Sequence, residues 1–535
     1  MKILYICFEF PPEIGGGSTY NQNLTNYLSK ENSQVVVFTG GDNVILGVNE
    51  NLTLIRSENI KNIYQSKGDY LKVVDDLIKI IKEYQPDIIH TLQYMETLVA
   101  QVANKNFMLP LVVSHHKTPE YTKSTVRKNS KWSYFDYVNN DYVDCYISPS
   151  NTFTKSLLQS LNSIEIDKII QIYPGVNPIY KKIDDMNSLR SIKDKIKITD
   201  GDKLILFPLK IRKRKGLEFA LNALQKYLDK YRSSNIKVLI TAMNRGTEYS
   251  ELIIAKFDEI LKGSFINHNF SFTEQEMAQL YNIASVSILP SRSEGLGLVL
   301  IEAMSSGCPV IGTDVQGIFE VIDNDINGIL VKYDDIESMC NAINTILNNE
   351  DKKNSYIEKA YEKVNNCFNS VQQAKKHINT YIRILNSRKI SCGGILFKHK
   401  NNNKFDIFLC SHEVHVYVLP KGGIKKGETL IECANREILE ETGYGVNNPH
   451  YSLGSLSYKF TNNNEEFRKK VYFFAYEIID QIKGKLSLED GEGILDGEWY
   501  DLEKAISLIS YESERDKLIC LKNILYKYYD NTEII

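Results

Sequence analysis

Residues 289–322 read LPSRSEGLGLVLIEAMSSGCPVIGTDVQGIFEVI. An apolar run ends in a Ser/Gly loop, a segment with small residues and helical spacing follows, and a second apolar run, CPVIGTD, closes the unit. Strand, loop, helix and strand in that order are the repeating unit of a parallel α/β sheet. Backbone N–H groups in such a loop and at the helix start suit an anion. Glu294 and Glu302 flank the helix start with seven residues between them. In a chain with 67 acidic residues that spacing alone carries no signal; the anion-binding setting gives it one.

The same rhythm runs outward from this segment. KLILFPLK (203–210), IKVLITA (236–242) and VSILPS (286–291) read as strands of its own domain. KILYICFE (2–9), QVVVFTG (34–40), PDIIHTL (86–92), LPLVVSHH (109–116) and DCYISPS (144–150) read as strands of an earlier one, with a helix over 71–84. A polar stretch after IIQIYPGVNPIY (169–180) separates the two. The fold class is therefore α/β, two doubly wound Rossmann-like domains over 1–185 and 186–387, the second closed by helices. Ligands bind at the C-terminal strand ends of such sheets, so the pair defines a cleft. After NSRKI the runs become strands broken by polar turns, giving a third, α+β domain over 388–535. No long linker precedes it, so it is expected close to the second domain.

In this context the 289–322 segment resembles the donor-binding motif of retaining glycosyltransferase family four, of the glycosyl transferases group 1 type, which has the GT-B fold. The likeness covers roughly residues 1–385. FPPEIGGGSTYNQNLTNYL (10–28) resembles the family's first Gly-rich turn, where Gly15, Gly16 and Gly17 let the backbone approach a phosphate or the donor sugar. ISPS and YPGVNPIY match landmarks at the end of the first domain. The resemblance implies that Glu302 binds the ribose of a nucleotide-sugar donor and Glu294 the sugar hydroxyls. The amides of Gly295, Leu296, Gly297 and Leu298 would lie near the diphosphate.

The family usually has an Arg and, five residues later, a Lys before Gly or Asn. FPLKIRKRKGLE (207–218) puts Lys215 in the Lys position and Lys210 where Arg is usual. Lysine keeps the charge and loses the bidentate fork, for which the intervening Arg212, Lys213 and Arg214 can compensate. Read without the family, this run is a solvated basic loop. His116 in LVVSHHK fits the family's His near the transferred sugar better than His115, and His90 is another strand-end His; a lone His is otherwise a packed residue. No carboxylate nucleophile is evident. The implied chemistry is front-face transfer with retention, the departing diphosphate assisting the acceptor while cations stabilise it.

GGIKKGETLIECANREILEETGY (422–444) raises a separate question. Glu437, Glu440 and Glu441, at i, i+3 and i+4, project from one helix face, where like charges repel. A hard divalent cation relieves that repulsion; a solvated Glu-rich face is the plainer alternative. The segment resembles the Nudix box. Gly422, Glu428, Arg436, Glu437, Glu440, Glu441 and Gly443 fill its fixed positions, with Ile438 as the inner apolar residue and Tyr444 where an aliphatic one is usual. That resemblance implies Glu437, Glu440 and Glu441 as ligands of Mg²⁺, or Mn²⁺ in its place. Glu437 and Glu441 are its catalytic carboxylates, one doubling as base, and Arg436 and Glu428 orient the helix. LPKGGIKKGET (419–429) and GEWYDLEKAISLI (497–509) resemble the Nudix branch acting on dinucleoside and inositol polyphosphates.

Composition bounds the partners. A net charge of -3 over 535 residues gives no bulk reason to expect nucleic acid. Nine scattered cysteines without a Cys-x-x-Cys pair fit a reducing cytoplasm and neither zinc nor a disulfide framework. The N-terminus reads as a buried strand, and no apolar stretch spans a bilayer, which leaves peripheral membrane contact open. The expectation is a bifunctional cytoplasmic enzyme: glycosyl transfer from a nucleotide sugar to a glycan, lipid or small-molecule acceptor, and Mg²⁺-dependent hydrolysis of a nucleoside diphosphate-linked compound. The alternative is a glycosyltransferase regulated by a nucleotide-sensing Nudix domain with little turnover. Base, sugar, acceptor and oligomeric state are not readable from the chain.

Overall fold

The computed structural model describes residues 1–12, 16–64, 69–115, 142–160, 166–231, 235–243, 245–400, 404–413, 415–462, 465–479 and 496–529. Its first sheet holds β1 (Lys2–Ile6), β2 (Gln34–Gly40), β3 (Val44–Asn49), β4 (Leu52–Ser57), β5 (Ile88–Leu92), β6 (Leu111–Ser114), β7 (Cys145–Ser148) and β8 (Ile169–Gln171), in the order β3-β4-β2-β1-β5-β6-β7-β8. Only the edge strand β3 is antiparallel to its neighbour. β5, β6 and β7 are buried at every position, as continuous apolar runs must be in a sheet covered on both faces.

The second sheet is parallel throughout, ordered β10-β9-β11-β12-β13 from β9 (Lys203–Lys210), β10 (Ile236–Ala242), β11 (Val286–Leu289), β12 (Val310–Thr313) and β13 (Ile329–Val331). One apolar cluster, from Tyr180 to Phe368, fills this domain. The chain then returns to the first domain. Gly175 accommodates the crossing, since a Cβ there would collide with Ser370, and the Val176 N–H donates to Phe368 O (2.8 Å). Along the helix Ser370–Ser387, Ala374, Tyr381 and Ile384 pack with Ile3, Tyr5 and Leu24 of the first domain.

The third domain is a mixed sheet of β14 (Arg388–Lys400), β15 (Lys404–Glu413), β16 (Val416–Val418), β17 (Lys421–Gly423), β18 (Tyr451–Asn462), β19 (Glu465–Glu477) and β20 (Asp496–Asp501). Helix Leu430–Thr442 packs on one face, with Cys392 and Leu396, and helix Glu512–Tyr529 on the other, with Ile395 and Phe397. Here the structure corrects an expectation: this domain rests on the first domain. β14 begins at the residue after the Ser370–Ser387 helix, which is itself seated on the first domain. Met108 and Tyr142 join the core of the third domain, Arg388 pairs with Asp144 (3.1 Å), and Lys426 pairs with Asp87 (2.5 Å). Among the described residues no helix is long and apolar enough to cross a membrane.

Candidate functional sites

In the second domain, the β9 end and the loop after β11 form one wall. Gly216 sits at φ 66°, and a Cβ there would collide with the Pro290 carbonyl, so only glycine lets the basic turn lie against the Pro290–Glu294 loop. That approach brings the Lys215 ammonium onto the Glu294 carboxylate. Glu294 also accepts from Ser291 Oγ (2.7 Å) and an Arg214 guanidinium nitrogen (3.3 Å). Burial holds the Lys215 ammonium below the usual lysine range, a shift the Glu294 carboxylate opposes. Lys210, the last residue of β9, is exposed, and among the described residues it pairs with no carboxylate.

The loop continues through Gly295 and the buried side chain of Leu296 to Gly297, whose left-handed backbone (φ 84°) caps the helix Leu298–Ser305 without a side-chain bond. The helix start therefore offers backbone amides at Gly297 and Leu298 and no competing side chain. One turn further, Glu302 is partly buried and accepts from Tyr281 Oη (3.0 Å). Desolvation raises its carboxyl to about 8, against the opposing effect of the Tyr281 bond. Lys215, Glu294, the Gly295–Leu298 loop and Glu302 thus share one wall.

Across the cleft, Gly16 and Gly17 open the helix Gly16–Lys30, and a Cβ on Gly17 would press on the Glu9 carboxylate. Gly15 and His116 lie outside the described residues. His115 is buried, stacked on Tyr94 (4.1 Å between ring centres) and facing Tyr146 (5.8 Å). His90 is enclosed between Tyr381 Oη (2.6 Å) and Ser114 Oγ (2.8 Å), a packed histidine that ties the returning helix to β5. Sequence reasoning missed Tyr281, Ser291 and Glu320. The buried Glu320 carboxylate, from the second domain, accepts from the Asn151 and Thr152 amides (2.8 Å each) and from Tyr173 Oη (3.0 Å). Beside it, Ser150 Oγ donates to Gly295 O (3.3 Å), so the donor-side loop touches the first domain.

In the third domain Thr429 caps the box helix reciprocally with Glu432, and Gly443 (φ 75°) ends it. Arg436 is the centre of the glutamate cluster: Nε and a terminal nitrogen bind Glu428 (2.6 and 3.0 Å), and the other terminal nitrogen reaches Glu437 (2.5 Å) and Glu440 (2.9 Å). Burial works to raise Glu428, but Arg436 and the Lys425 amide hold it below the usual carboxylate range. Glu437 and Glu441 are 2% and 8% exposed. A Cβ on Gly422 would overlap the Glu437 carboxylate, so this glycine makes room for it, while Glu441 accepts from the Lys421 amide (3.0 Å). Among the described residues no three acidic, His or Cys groups already converge as a metal cage. The donor set nevertheless fits a hard cation: three carboxylates share one helix face, and a divalent ion between them would relieve their mutual repulsion.

Residues 14–179 match the model of Glycosyltransferase Family 4, residues 190–363 that of Glycosyl transferases group 1, and residues 389–521 that of the NUDIX domain. The chain is thus a glycosyltransferase with a C-terminal Nudix domain. It is 25% identical over 395 residues to an uncharacterized glycosyltransferase of Methanocaldococcus jannaschii, covering 71% of this chain and 98% of the relative. It is 26% identical to the sulfoquinovosyl transferase of Arabidopsis thaliana, over 64% of this chain and 65% of that one. Among solved structures, sucrose-phosphate synthase from Thermosynechococcus elongatus shares the fold at a TM-score of 0.60 and 18% identity, over 72% of this chain and all but 1% of that one (99%). Anabaena HepE, solved in complex with UDP-glucose, does so at 0.57 and 16%, over 72% of this chain and 100% of that one. These likenesses show the fold, GT-B-like, for the glycosyltransferase portion.

Proposed function

We propose that the first two domains transfer a glycosyl group from a nucleotide-diphosphate sugar to an acceptor with retention, and that the third hydrolyses a nucleoside diphosphate-linked compound. The observation that carries the transferase reading is the single wall that joins Lys215, Glu294, the glycine-started helix and Glu302. In this reading Glu302 holds the ribose and Glu294 the sugar hydroxyls. The Gly295–Leu298 amides bind the diphosphate, and Lys215 with the exposed Lys210 stabilises its charge as it departs. Gly16 and Gly17 leave room for the donor on the opposite side, and His116 is the proposed contact to the transferred sugar.

For hydrolysis, Glu437, Glu440 and Glu441 would hold Mg²⁺, which supplies charge neutralisation and a lowered pKa of bound water. Arg436 orients the glutamates, and Glu437 or Glu441 takes the proton from the attacking water. One observation favours the regulatory reading beside this one: Lys426 of the box loop pairs with Asp87 of the first domain, and a Cβ on the adjacent Gly427 would meet the Gln85 side chain.

The test is a thermal-shift panel of nucleoside diphosphates and their sugar conjugates, because a ligand that binds only the native state raises Tm. A sugar nucleotide whose shift is lost in Glu302→Ala and kept in Glu441→Gln is the expected donor. If every shift survives Glu302→Ala and vanishes with Glu441→Gln, the transferase assignment of this cleft fails. Loss of hydrolysis in Glu441→Gln with unchanged transfer marks two independent enzymes; altered transfer marks the regulatory arrangement.

A further inference from the structure

Glu320 sits in a short helix, Ile318–Val321, that follows β12 in the second domain, yet its carboxylate is engaged by the first domain and by the segment that crosses between them. One oxygen accepts from the Thr152 amide (2.8 Å), the other from the Asn151 amide (2.8 Å) and Tyr173 Oη (3.0 Å). Asn151 and Thr152 open the helix Asn151–Ser160, whose first-turn amides have no partner within the helix and whose first turn carries no acidic residue of its own. Ser150 Oγ accepts from the Phe153 amide (3.0 Å), and Glu320 serves the other two from across the seam. The helix start is thus capped by both domains, at the end where a carboxylate is favoured.

The same segment backs the donor loop. A Cβ on Gly317 (φ 85°) would collide with the Glu294 carbonyl and the Gly295 backbone, so the turn leading to Glu320 lies directly against that peptide. Thr313 Oγ1 donates to Ser291 O (2.5 Å), and Ser150 Oγ donates to Gly295 O (3.3 Å). Tyr173 packs on Phe368 (5.1 Å between ring centres), where the chain returns to the first domain. One carboxylate therefore joins the crossing, the first-domain helix and the turn behind the donor loop.

We propose that Glu320 is a positioning residue for glycosyl transfer: it clamps the two domains at the spacing that presents the Glu294–Leu298 loop to the first domain. Removing the carboxylate leaves the Asn151 and Thr152 amides without an acceptor while the domains stay together, and separation returns them to water. The consequence for transfer rests on the transferase reading; the spacing itself does not. Glu294, Glu302 and Lys215 all lie in the second domain, so donor binding survives loss of the clamp, whereas glycosyl release needs both walls of the cleft.

The experiment places spin labels on the full chain at Lys72→Cys, exposed on helix Tyr70–Tyr84 of the first domain, and at Gln225→Cys, exposed on helix Leu217–Tyr231 of the second. Cys520→Ser and Cys367→Ser remove the two native thiols that are not buried. Pulsed electron resonance is expected to give one narrow distance in the parent and a distribution at least twice as broad in Glu320→Ala. Tyr173→Phe, which keeps both amide bonds, is expected to stay close to the parent. A distribution unchanged in Glu320→Ala overturns the clamp even if Tm falls, because that pattern marks a residue that only stabilises its own domain. Function is read as glycosyl release to water from the sugar nucleotide selected by thermal shift, in a Glu441→Gln background that silences the third domain. Glu320→Ala is expected to lower kcat tenfold or more with KM within threefold, and an unchanged kcat overturns the positioning role. If no nucleotide binds in a Glu302-dependent manner, the transferase reading fails while the spacing still decides the clamp.

Discussion

Glu302 is a carboxylic acid in a place that favours its neutral form. Its folded value is about 8 against 4.5 when free, so between those limits the native state binds more protons than the unfolded one. The contribution is then fully present below about pH 4.5 and is lost as pH rises through 8. Because the group is only partly buried, the loss is on the order of 1–2 kcal/mol. Glu302→Gln, which is neutral at every pH, is expected to flatten the fall in Tm between about pH 5 and pH 8.5; a parallel fall in both proteins would show that Glu302 is not the group responsible. Glu294, Glu302 and Lys215 were legible in the sequence because they fill fixed positions of the glycosyltransferase motifs that the chain resembles. Tyr281 and Ser291 were not, since one is an aromatic in an amphipathic helix and the other is one of several serines in the Ser/Gly loop, and neither fills a fixed motif position. Glu320 lies inside the quoted 289–322 segment, yet its partners come from the other domain, and no local pattern announces them.

At the scale of elements, the helix Ser370–Ser387 shows what pattern can and cannot tell. Its apolar spacing reads as a helix, but spacing does not say which core receives the apolar face; Gly175 and the Val176–Phe368 bond decide that by steering the chain back across the domain seam. His377 of this helix is fully buried, donates from Nδ1 to Gln373 O (2.8 Å) and stacks on His90 (5.7 Å). Burial lowers it from 6.5 to about 4, so the folded state binds fewer protons than the unfolded one in that window. Its contribution is complete above about pH 6.5 and is lost as pH falls toward 4, a change of about 3 kcal/mol if no other group compensates. His377→Gln is expected to remove most of the acid-side loss of stability between about pH 6.5 and pH 4.5, read by urea midpoints with unchanged m-values. Equal acid sensitivity in both proteins would assign the loss to other groups. The strands and box helix of the third domain were legible for the opposite reason, since capping residues and alternating strands are local signals. Its position was not, because a seam without a linker fixes proximity to the preceding helix and nothing more.

The whole molecule places the Nudix box loop against the transferase portion, and this contact would give the two proposed activities a physical route of coupling. Lys426 pairs with Asp87, which also accepts from the Lys2 amide (2.7 Å) at the start of β1. Two residues along the loop, Glu428 grips Arg436, and Arg436 holds Glu437 and Glu440. A half-exposed ion pair contributes only about 0.2–1 kcal/mol, so its removal alone is a weak test. Reversal is stronger: Lys426→Glu sets two carboxylates together at the seam and pushes the loop off the first domain. Hydrolysis by the full chain is expected to drop several-fold in Lys426→Glu and to return to within twofold of wild type when Asp87→Lys is added. Tm follows the same order, because the double exchange restores attraction and costs only the Lys2 bond. The rescue is the deciding feature, since damage confined to the loop would persist in the double variant. Nucleotide-sugar binding at the transferase cleft, measured on the same three proteins, then separates two mechanisms. An affinity that tracks hydrolysis through loss and rescue means that the contact transmits state between the domains, whereas an unchanged affinity means that the first domain serves only as the platform on which the box loop is set.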